Sequence, residues 1–256
     1  MLKPNRYFWL SVASVSVFLL SWFLVTRFWV TGSEGFPSPQ ALFVTFLNLL
    51  RNGFTGEPLW FHILTSLQET FGGYVLGVAL GVPLGLATGY NATARAIVMP
   101  YVDFFRPVPP IALVTLFVLF FGIGLASKVA LIFLSGFWFM VLATSEGVRS
   151  LPSDLMRAGR SVGMNQWQIF RYVILPGSMP AILIGMRTTL SISWALVVAA
   201  ELVAGHTGLG YIVTDATNFY RLRVVYVAIL IIAGLGFIMD RLIVMLSRRV
   251  LHWQGK

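Results

Sequence analysis

Six long apolar runs constrain this chain more than any other feature of its sequence. They cover residues 7–30, 66–90, 96–121, 126–148, 181–202 and 222–246. Each run is long enough to cross the hydrocarbon core of a bilayer, which takes about 20 predominantly apolar residues in a helix. Only 11% of the residues are charged, against about 25% in soluble domains. The sequence therefore predicts an all-α integral membrane protein with about six transmembrane helices, in a single domain that spans residues 1–256.

The lysines and arginines predict which side of the membrane each loop occupies. Of the 18 in the chain, 12 fall on one predicted side, five fall on the other, and Arg106 lies within a span. The richer side holds both termini and is the cytoplasm by the positive-inside rule. A cleavable signal peptide is the alternative for the first run, but the run exceeds the roughly 7 to 15 apolar residues of a signal core and no Ala-x-Ala site follows. We therefore expect residues 1–61 to form a retained helix followed by a segment on the outer interface.

Charge and motif content exclude several classes of function. A net charge of +9 could indicate nucleic acid binding, but the basic residues follow the membrane topology instead. The chain has no cysteine, which excludes disulfides and zinc-thiolate sites. Its three histidines lie far apart in sequence, and no catalytic motif occurs. Because there is also no Gly-x4-Gly-Lys-Ser/Thr phosphate loop, we expect no cofactor on this chain, and energy must come from a partner or an ion gradient.

One long polar interval, residues 146–180, separates two of the apolar runs and must lie outside the hydrocarbon. Ser153 is a typical helix start, and Gly163 is a natural helix end. Asn165 is followed three residues later by a glutamine, which resembles a capping box at the start of a second helix. The Leu-Pro-Gly sequence at 175–177 is expected to end that helix. The interval is thus predicted to be two short helices hinged at Gly163.

At these residues the chain resembles the inner-membrane permease subunits of binding-protein-dependent ABC importers. Their cytoplasmic motif is Glu-Ala-Ala, three residues, Gly, nine residues and Ile-x-Leu-Pro. Here Arg-Ala-Gly at 157–159, Gly163 and Val-Ile-Leu-Pro at 173–176 keep the same spacing. Arginine stands in the place of the glutamate, so any contact that the family makes through that carboxylate is not carried over.

Neighbouring sequences resemble the nitrate, sulfonate and taurine branch of the same family. They are FRPVPP at 105–110, FGIG at 121–124 and Glu201 with the leucine after it. The resemblance covers nearly everything after residue 65, so residues 62–256 are interpreted as the family core.

The resemblance implies a non-enzymatic subunit of an importer. Two copies would form a pathway for a small anion, with taurine or an alkanesulfonate as the first choice and nitrate, bicarbonate or another small organic solute as alternatives. ATP and Mg would bind only to two partner ATPase subunits, and an external binding protein would deliver the substrate. The residues implied in ATPase coupling are Arg157, Ala158, Gly159, Gly163, Leu175 and Pro176.

The span at 96–121 is interrupted by three prolines, which remove backbone donors and bar regular helix. Broken backbone at membrane depth survives only against protein or a water-filled cavity, so we predict a pore lining here. Arg106 beside the break is either functional or neutralised by Asp103. In a later span, hydroxyls and an indole at helical spacing either line the pore or form ordinary interhelical hydrogen bonds. The predicted pore residues are Arg106, Pro107, Pro109, Ser191, Ser193 and Trp194.

Two glycine-rich stretches leave alternatives open. Glycines at positions 73, 77, 81, 85 and 89 form a ridge along one helix, which serves either packing within the chain or a dimer seam. Glu201 ends an apolar run before a glycine-rich loop, and we predict that Glu201, Gly208 and Gly210 form part of an outer gate. The alternative is that Glu201 marks the water boundary while the glycines only turn the chain.

An ion-coupled secondary transporter is the rival class of function. It would use carboxylates within the membrane, here Glu69, Asp103, Glu201 or Asp240, as coupling sites. Such proteins often contain two related repeats, and this sequence shows none. An intramembrane hydrolase is disfavoured because no catalytic motif is present.

Overall fold

In the computed structural model, the described residues are 6–28 and 35–252, apart from the side chains of Arg6, Tyr7 and Arg27. The predicted cytoplasmic termini and residues 29–34 lie outside these ranges. Within them the chain is all-α, as predicted, and no strand occurs. The helices are α1 Arg6–Phe28, α2 Pro39–Asn52, α3 Leu59–Tyr90, α4 Ala92–Phe105, α5 Val114–Phe121, α6 Leu125–Arg149, α7 Ser153–Ser161, α8 Gln166–Ile169, α9 Leu175–Ala204, α10 Leu209–Asn218 and α11 Leu222–Val250.

Five helical stretches are long and apolar enough to cross a membrane. They are α1, α3, α6, α11 and the continuous helix Gln166–Ala204 that includes α9. The sixth predicted span is the pair formed by α4 and residues 110–121, whose axes differ by 82°. This confirms the six predicted spans when the bent pair is counted as one. The second span begins at Leu59 rather than at residue 66, because residues 59–65 contain no glycine or proline to stop the helix.

The bend lies where the prolines predicted it. Helix α4 ends at Phe105, and a 3₁₀ turn at Pro110–Leu113 leads into α5. Pro107, Pro109 and Pro110 supply no backbone N–H, so the i to i−4 ladder cannot continue through them. The segment between α4 and α5 is therefore irregular backbone within a span.

The Cα positions divide the chain into two compact units. One comprises the residues up to 61 together with 212–231, and the other comprises residues 62–211 and 232 onward. In the first unit, Ser38 caps α2 by accepting a hydrogen bond from the Ala41 N–H at 3.3 Å. The apolar patch predicted at the outer interface is this helix α2, whose C-terminus is closed by Gly53 at φ 71°.

The second unit is organised around α6, which packs on α3 through the predicted glycine ridge. A Cβ on Gly73 would lie 2.5 Å from Ile132 Cβ, and one on Gly85 would lie 2.5 Å from Thr144 Cβ. Gly77, Gly81 and Gly89 face α6 in the same way. The ridge therefore serves packing within the chain, because every one of these five glycines lies against α6 at a distance that leaves no space for a side chain.

Small residues also bring α6 close to α9. A Cβ on Gly147 would lie 2.5 Å from Ala181 Cβ, and one on Gly185 would lie 2.9 Å from Ala143 Cβ. Close approach of backbones is how membrane helices gain van der Waals contact when lipid is as apolar as their side chains. Helix α6 is thus held tightly on two sides, by α3 and by α9.

Candidate functional site

The polar segment between α6 and α9 has the two short helices that the sequence predicts. Helix α7 ends in a Schellman arrangement, in which Gly163 has φ +82° and the Met164 N–H donates to the Gly159 carbonyl at 3.0 Å. The capping box is also present: the Gln168 N–H donates to Asn165 Oδ1, and the Asn165 N–H donates to Gln168 Oε1, both at 2.8 Å. The hinge at Gly163 is therefore confirmed.

The predicted end of the second helix at Leu175–Pro176–Gly177 is wrong. A π-helical turn at Phe170–Ile174 joins α8 directly to α9, and Pro176 lies in the first turn of α9. Proline is tolerated there because the π-helical turn just before it changes the hydrogen-bond register, so the helix continues past a residue that lacks an N–H donor. Buried Ile169 and Ile174 anchor the turn against the core, and the chain stays helical through it.

The two small residues of α7 do not share one exposed face. Ala158 is exposed, whereas Gly159 is buried against Met164 and Ile169, with a Cβ position 3.5 Å from Ile169 Cγ1. The face that includes Gly159 packs on the protein itself, since Ile169 and Ile174 are both buried behind it. Arg157 forms an exposed ion pair with Asp154 at 2.5 Å. If this segment contacts an ATPase as predicted, Gly159 is therefore too buried to form the contact, and the exposed residues of the segment must do so.

Four large apolar side chains are exposed on α7, α8 and the turns that follow them. Leu155 is 47% exposed, Val162 75%, Trp167 68% and Tyr172 66%. We call these four residues the α7–α8 patch. These side chains lie on a segment too polar for the hydrocarbon core, and exposed apolar side chains outside the core mark a candidate protein interface.

A cavity of about 210 Å³ lies at the bend of the broken span. Arg106 and Pro110 line it, together with Ile192 of α9. The predicted pore residues of α9 lie elsewhere: Trp194 is 7% exposed and its indole N–H donates to the Ile232 carbonyl at 3.1 Å. Ser193 is 2% exposed. The alternative of an interhelical hydrogen bond is therefore confirmed for Trp194, while Ser193 is buried beside Gly136.

Ser191 differs from its two neighbours in the predicted set. It is exposed, and its hydroxyl donates to the Arg187 carbonyl at 3.2 Å within the same helix. A pore-facing role stays a prediction for this residue.

Glu201 lies at the centre of a buried network of hydrogen bonds at the end of α9. Its Oε1 accepts from the Ser66 hydroxyl at 2.6 Å, and its Oε2 accepts from the Gly210 N–H at 2.6 Å. The Leu209 N–H donates to Ser66 Oγ at 2.9 Å, and the Gly208 N–H donates to His62 Nδ1 at 3.2 Å. Glu201 is only 1% exposed. The alternative that it marks the water boundary is therefore wrong, because the carboxylate satisfies its lone pairs inside the protein.

The position of the Glu201 carboxylate leaves no space for a side chain at residues 208 and 210. A Cβ on Gly208, whose φ is +106°, would lie 2.2 Å from Glu201 Oε1. A Cβ on Gly210 would lie 2.7 Å from Glu201 Cβ. Any side chain at either position would displace the carboxylate, so the glycines do more than turn the chain. We call Glu201, Ser66, His62 and residues 208–210 the loop clasp.

A buried ion pair lies on neighbouring helices of the same unit. Lys128 Nζ is 2.7 Å from Glu69 Oε1, with the two side chains 6% and 2% exposed. The sequence indicated Glu69 only as a possible coupling carboxylate, but a lone acid and a lone lysine in two apolar runs are themselves a signal for pairing. Asp240 is likewise paired, with Arg187 at 2.5 Å. In the described ranges, no group of three or more His, Asp and Glu side chains is placed to hold a metal ion.

Comparison with protein families gives one match that covers most of the chain. Residues 77–252 match the model of the binding-protein-dependent transport system inner membrane component. The match contains the polar segment with α7 and α8, the broken span and most of the loop clasp.

Three bacterial relatives align over nearly the whole chain. The taurine transport system permease protein TauC of Escherichia coli is 35% identical over 98% of this chain and 92% of its own length. The putative aliphatic sulfonates transport permease protein SsuC of Bacillus subtilis is 30% identical over 99% and 91%. The bicarbonate transport system permease protein CmpB of Synechococcus elongatus is 27% identical over 95% and 89%.

A solved structure shares the fold. The inward-facing MetNI methionine ABC transporter, in its selenomethionine-soaked crystal form, superposes with a TM-score of 0.67 and 22% identity. The superposition covers 75% of this chain and 97% of that chain. It leaves out a quarter of this chain, so the shared part is a core of the helices described above.

Proposed function

The chain belongs to the family of binding-protein-dependent transport system inner membrane components, and from this premise we propose that it is the subunit that forms the translocation pathway of an ATP-driven importer of small anions. It is a multi-pass protein of the bacterial inner membrane and an ABC importer permease for small solutes. Under the proposal, a second copy completes the pathway, two separate ATPase subunits bind and hydrolyse ATP with Mg, and an external binding protein delivers the substrate. The chain itself then performs no catalysis.

The α7–α8 patch is the observation that carries the coupling part of the proposal. Its four large apolar side chains are exposed on a segment with several arginines, and the positive-inside rule assigns that segment to the cytoplasm. Large exposed apolar patches on such segments are typical of protein interfaces. Buried Ile169 and Ile174 fix the patch to the start of α9. An ATPase bound there would be connected to a membrane-spanning helix without a flexible linker.

The contact residues under this proposal differ in part from those that the sequence motif implied. Ala158 remains on the exposed side, and Gly163 sets the angle between α7 and α8. Gly159 supports the segment from inside, while Leu175 and Pro176 form the first turn of α9. Arg157 presents a positive charge, paired with Asp154.

Replacing Trp167 with alanine tests the coupling. Trp167 is 68% exposed, so the change should leave the fold intact, whereas an interface tryptophan typically contributes at least about 2 kcal/mol, roughly thirtyfold in affinity. The matched control is Trp60→Ala, since Trp60 is 62% exposed on a different segment. We expect Trp167→Ala to abolish co-purification of the ATPase subunit and substrate-stimulated ATP hydrolysis, and Trp60→Ala to preserve both. Equal coupling in the two variants would contradict the proposed docking surface.

The substrate part of the proposal rests on the relatives. Taurine and aliphatic sulfonates each carry a sulfonate group, and bicarbonate is itself a small oxyanion. Because the sulfonate permeases are the more similar to this chain, we propose taurine or an alkanesulfonate as the substrate, with bicarbonate or nitrate next. Binding assays on the cognate external protein test this order directly, and a protein that binds none of these anions would refute it.

A further inference from the structure

The cavity at the broken span has the size and position of a site for a small solute. Its volume of about 210 Å³ is more than ten times the 10 to 15 Å³, approximately, that one water molecule needs on a comparable measure. It lies where Pro107, Pro109 and Pro110 interrupt the helix, and irregular backbone inside a membrane is tolerated where it lines a cavity. All of its lining residues belong to the second unit.

Arg106 is the one charged residue among the described residues that line this cavity. The sequence left open whether Asp103 neutralises it, and the structure pairs the two in no salt bridge. The ion pairs of the described ranges join Lys128 to Glu69, Arg157 to Asp154 and Arg187 to Asp240. The guanidinium group of Arg106 is therefore left without an acidic partner in the part of the chain that the structure describes. Arg106 is exposed where it lines the cavity, so its charge borders water and its guanidinium donors are free to bind a ligand of negative charge.

The rest of the cavity wall is aromatic and aliphatic. Phe105 and Trp138 stack with ring centroids 5.5 Å apart and an interplanar angle of 7°, and Leu131 and Ile192 also line the wall. Ser135 adds one hydroxyl. The lining thus combines one cation, the Ser135 hydroxyl, the Trp138 indole N–H, which has no hydrogen-bond partner among the described residues, and a broad apolar surface.

We propose that this cavity is a substrate subsite in which Arg106 binds the oxyanion group and the stacked Phe105–Trp138 wall contacts an apolar tail. This rests on the proposed function and names the substrate class further: a small organic monoanion such as an alkanesulfonate. Taurine fits less well, because its ammonium group would lose water beside a wall that contains no carboxylate. Nitrate and bicarbonate have no apolar part for the wall to contact.

Thermal unfolding of the purified permease in detergent tests the subsite without the external protein, whose own selectivity would mask it. Ethanesulfonate is the probe, taurine is the comparison ligand, and ionic strength is held constant with sodium chloride. A ligand that binds only the folded state raises the Tm in a saturable way. We expect ethanesulfonate to stabilise the wild type more than taurine does, and Arg106→Gln to lose at least about tenfold in apparent affinity, since hydrogen bonds to a charged group are being removed.

Two further variants separate charge at this site from charge in general. Arg106→Lys keeps the cation but loses the bidentate geometry, so its affinity should lie between those of the wild type and Arg106→Gln. Arg223→Gln removes an exposed arginine that does not line the cavity, and it should bind as the wild type does. Each shift is measured against the same variant without ligand, so a lower intrinsic Tm does not obscure the result. A saturable shift that is unchanged in Arg106→Gln, or absent from the wild type, overturns the subsite.

Transport by the complete complex distinguishes this inference from the function on which it rests. If the wild-type complex imports an alkanesulfonate and Arg106→Gln does so with unchanged kcat and KM, the subsite is wrong and the importer remains. If the wild-type complex with its ATPase and binding protein moves no anion at all, the proposed function itself fails.

Discussion

Replacing Lys128 with methionine should destabilise the protein strongly, because it leaves Glu69 buried without a counter-charge. The two side chains are 6% and 2% exposed and lie 2.7 Å apart, and the second carboxylate oxygen of Glu69 has no hydrogen-bond partner among the described residues. Breaking a buried pair by removing one partner costs about 3 to 5 kcal/mol. For a chain of 256 residues, about 2 to 4 °C of Tm per kcal/mol gives a loss of roughly 6 to 20 °C.

The double variant Lys128→Met/Glu69→Met should recover most of that loss. Well-packed apolar residues often replace a buried ion pair at no cost, since neither charge then has to be desolvated. Thermal unfolding of the detergent-purified variants measures both effects. The exposed pair of Arg157 and Asp154 supplies the control, as Arg157→Met should change the Tm little. A double variant as unstable as Lys128→Met alone would refute the reasoning, because the damage would then come from lost packing rather than from an uncompensated charge.

Three other expectations follow from particular contacts. Gly85→Ala should lower the free energy of unfolding by about 1 to 3 kcal/mol, the amount typical of overpacking. Gly234→Ala, whose Cβ would meet nothing within 4 Å, should not; equal Tm values for the two variants would contradict the packing of α3 on α6. In this chain without cysteine, Ser191→Cys should react with a small charged thiol reagent while Ser193→Cys, at a position 2% exposed, stays protected during rest and turnover. If the loop clasp gates transport, Glu201→Gln should change basal or substrate-stimulated ATP hydrolysis yet leave assembly and Tm nearly intact, and unchanged transport kinetics would remove Glu201 from the site.

The features that the sequence predicts well are local ones. The apolar runs, the proline break, the capping box and the Gly163 hinge each depend on neighbouring residues, so their physical causes can be read along the chain. The prediction that Leu-Pro-Gly at 175–177 ends a helix was wrong because the outcome depends on tertiary packing rather than on neighbouring residues. Whether a proline ends a helix depends on how the preceding residues pack, and here Ile169 and Ile174 are anchored in the core.

The sequence alone could not predict which distant side chains and helices contact each other. Glu69 and Lys128 are 59 positions apart; lone charges in apolar runs suggest pairing, but nothing local indicates which acid pairs with which base. The spacing of the α3 glycines is also compatible with contact to another chain, and only the positions of Ile132 and Thr144 on α6 show packing within the chain. The orientation of α7 is similar: helical periodicity places Ala158 and Gly159 side by side, and only packing on Ile169 decides which of them faces outward.

The π-helical turn that joins α8 to α9 has a mechanical consequence. Residues Gln166–Ala204 form one continuous helix of 39 residues, about 58 Å long at 1.5 Å per residue, whereas the hydrocarbon core is only about 30 Å thick. One end carries Trp167 well clear of the lipid, and the other end carries Glu201. The helix therefore connects the exposed segment at Trp167 to the carboxylate that holds residues 208–210, with the π-helical turn and Pro180 as the places where it can bend.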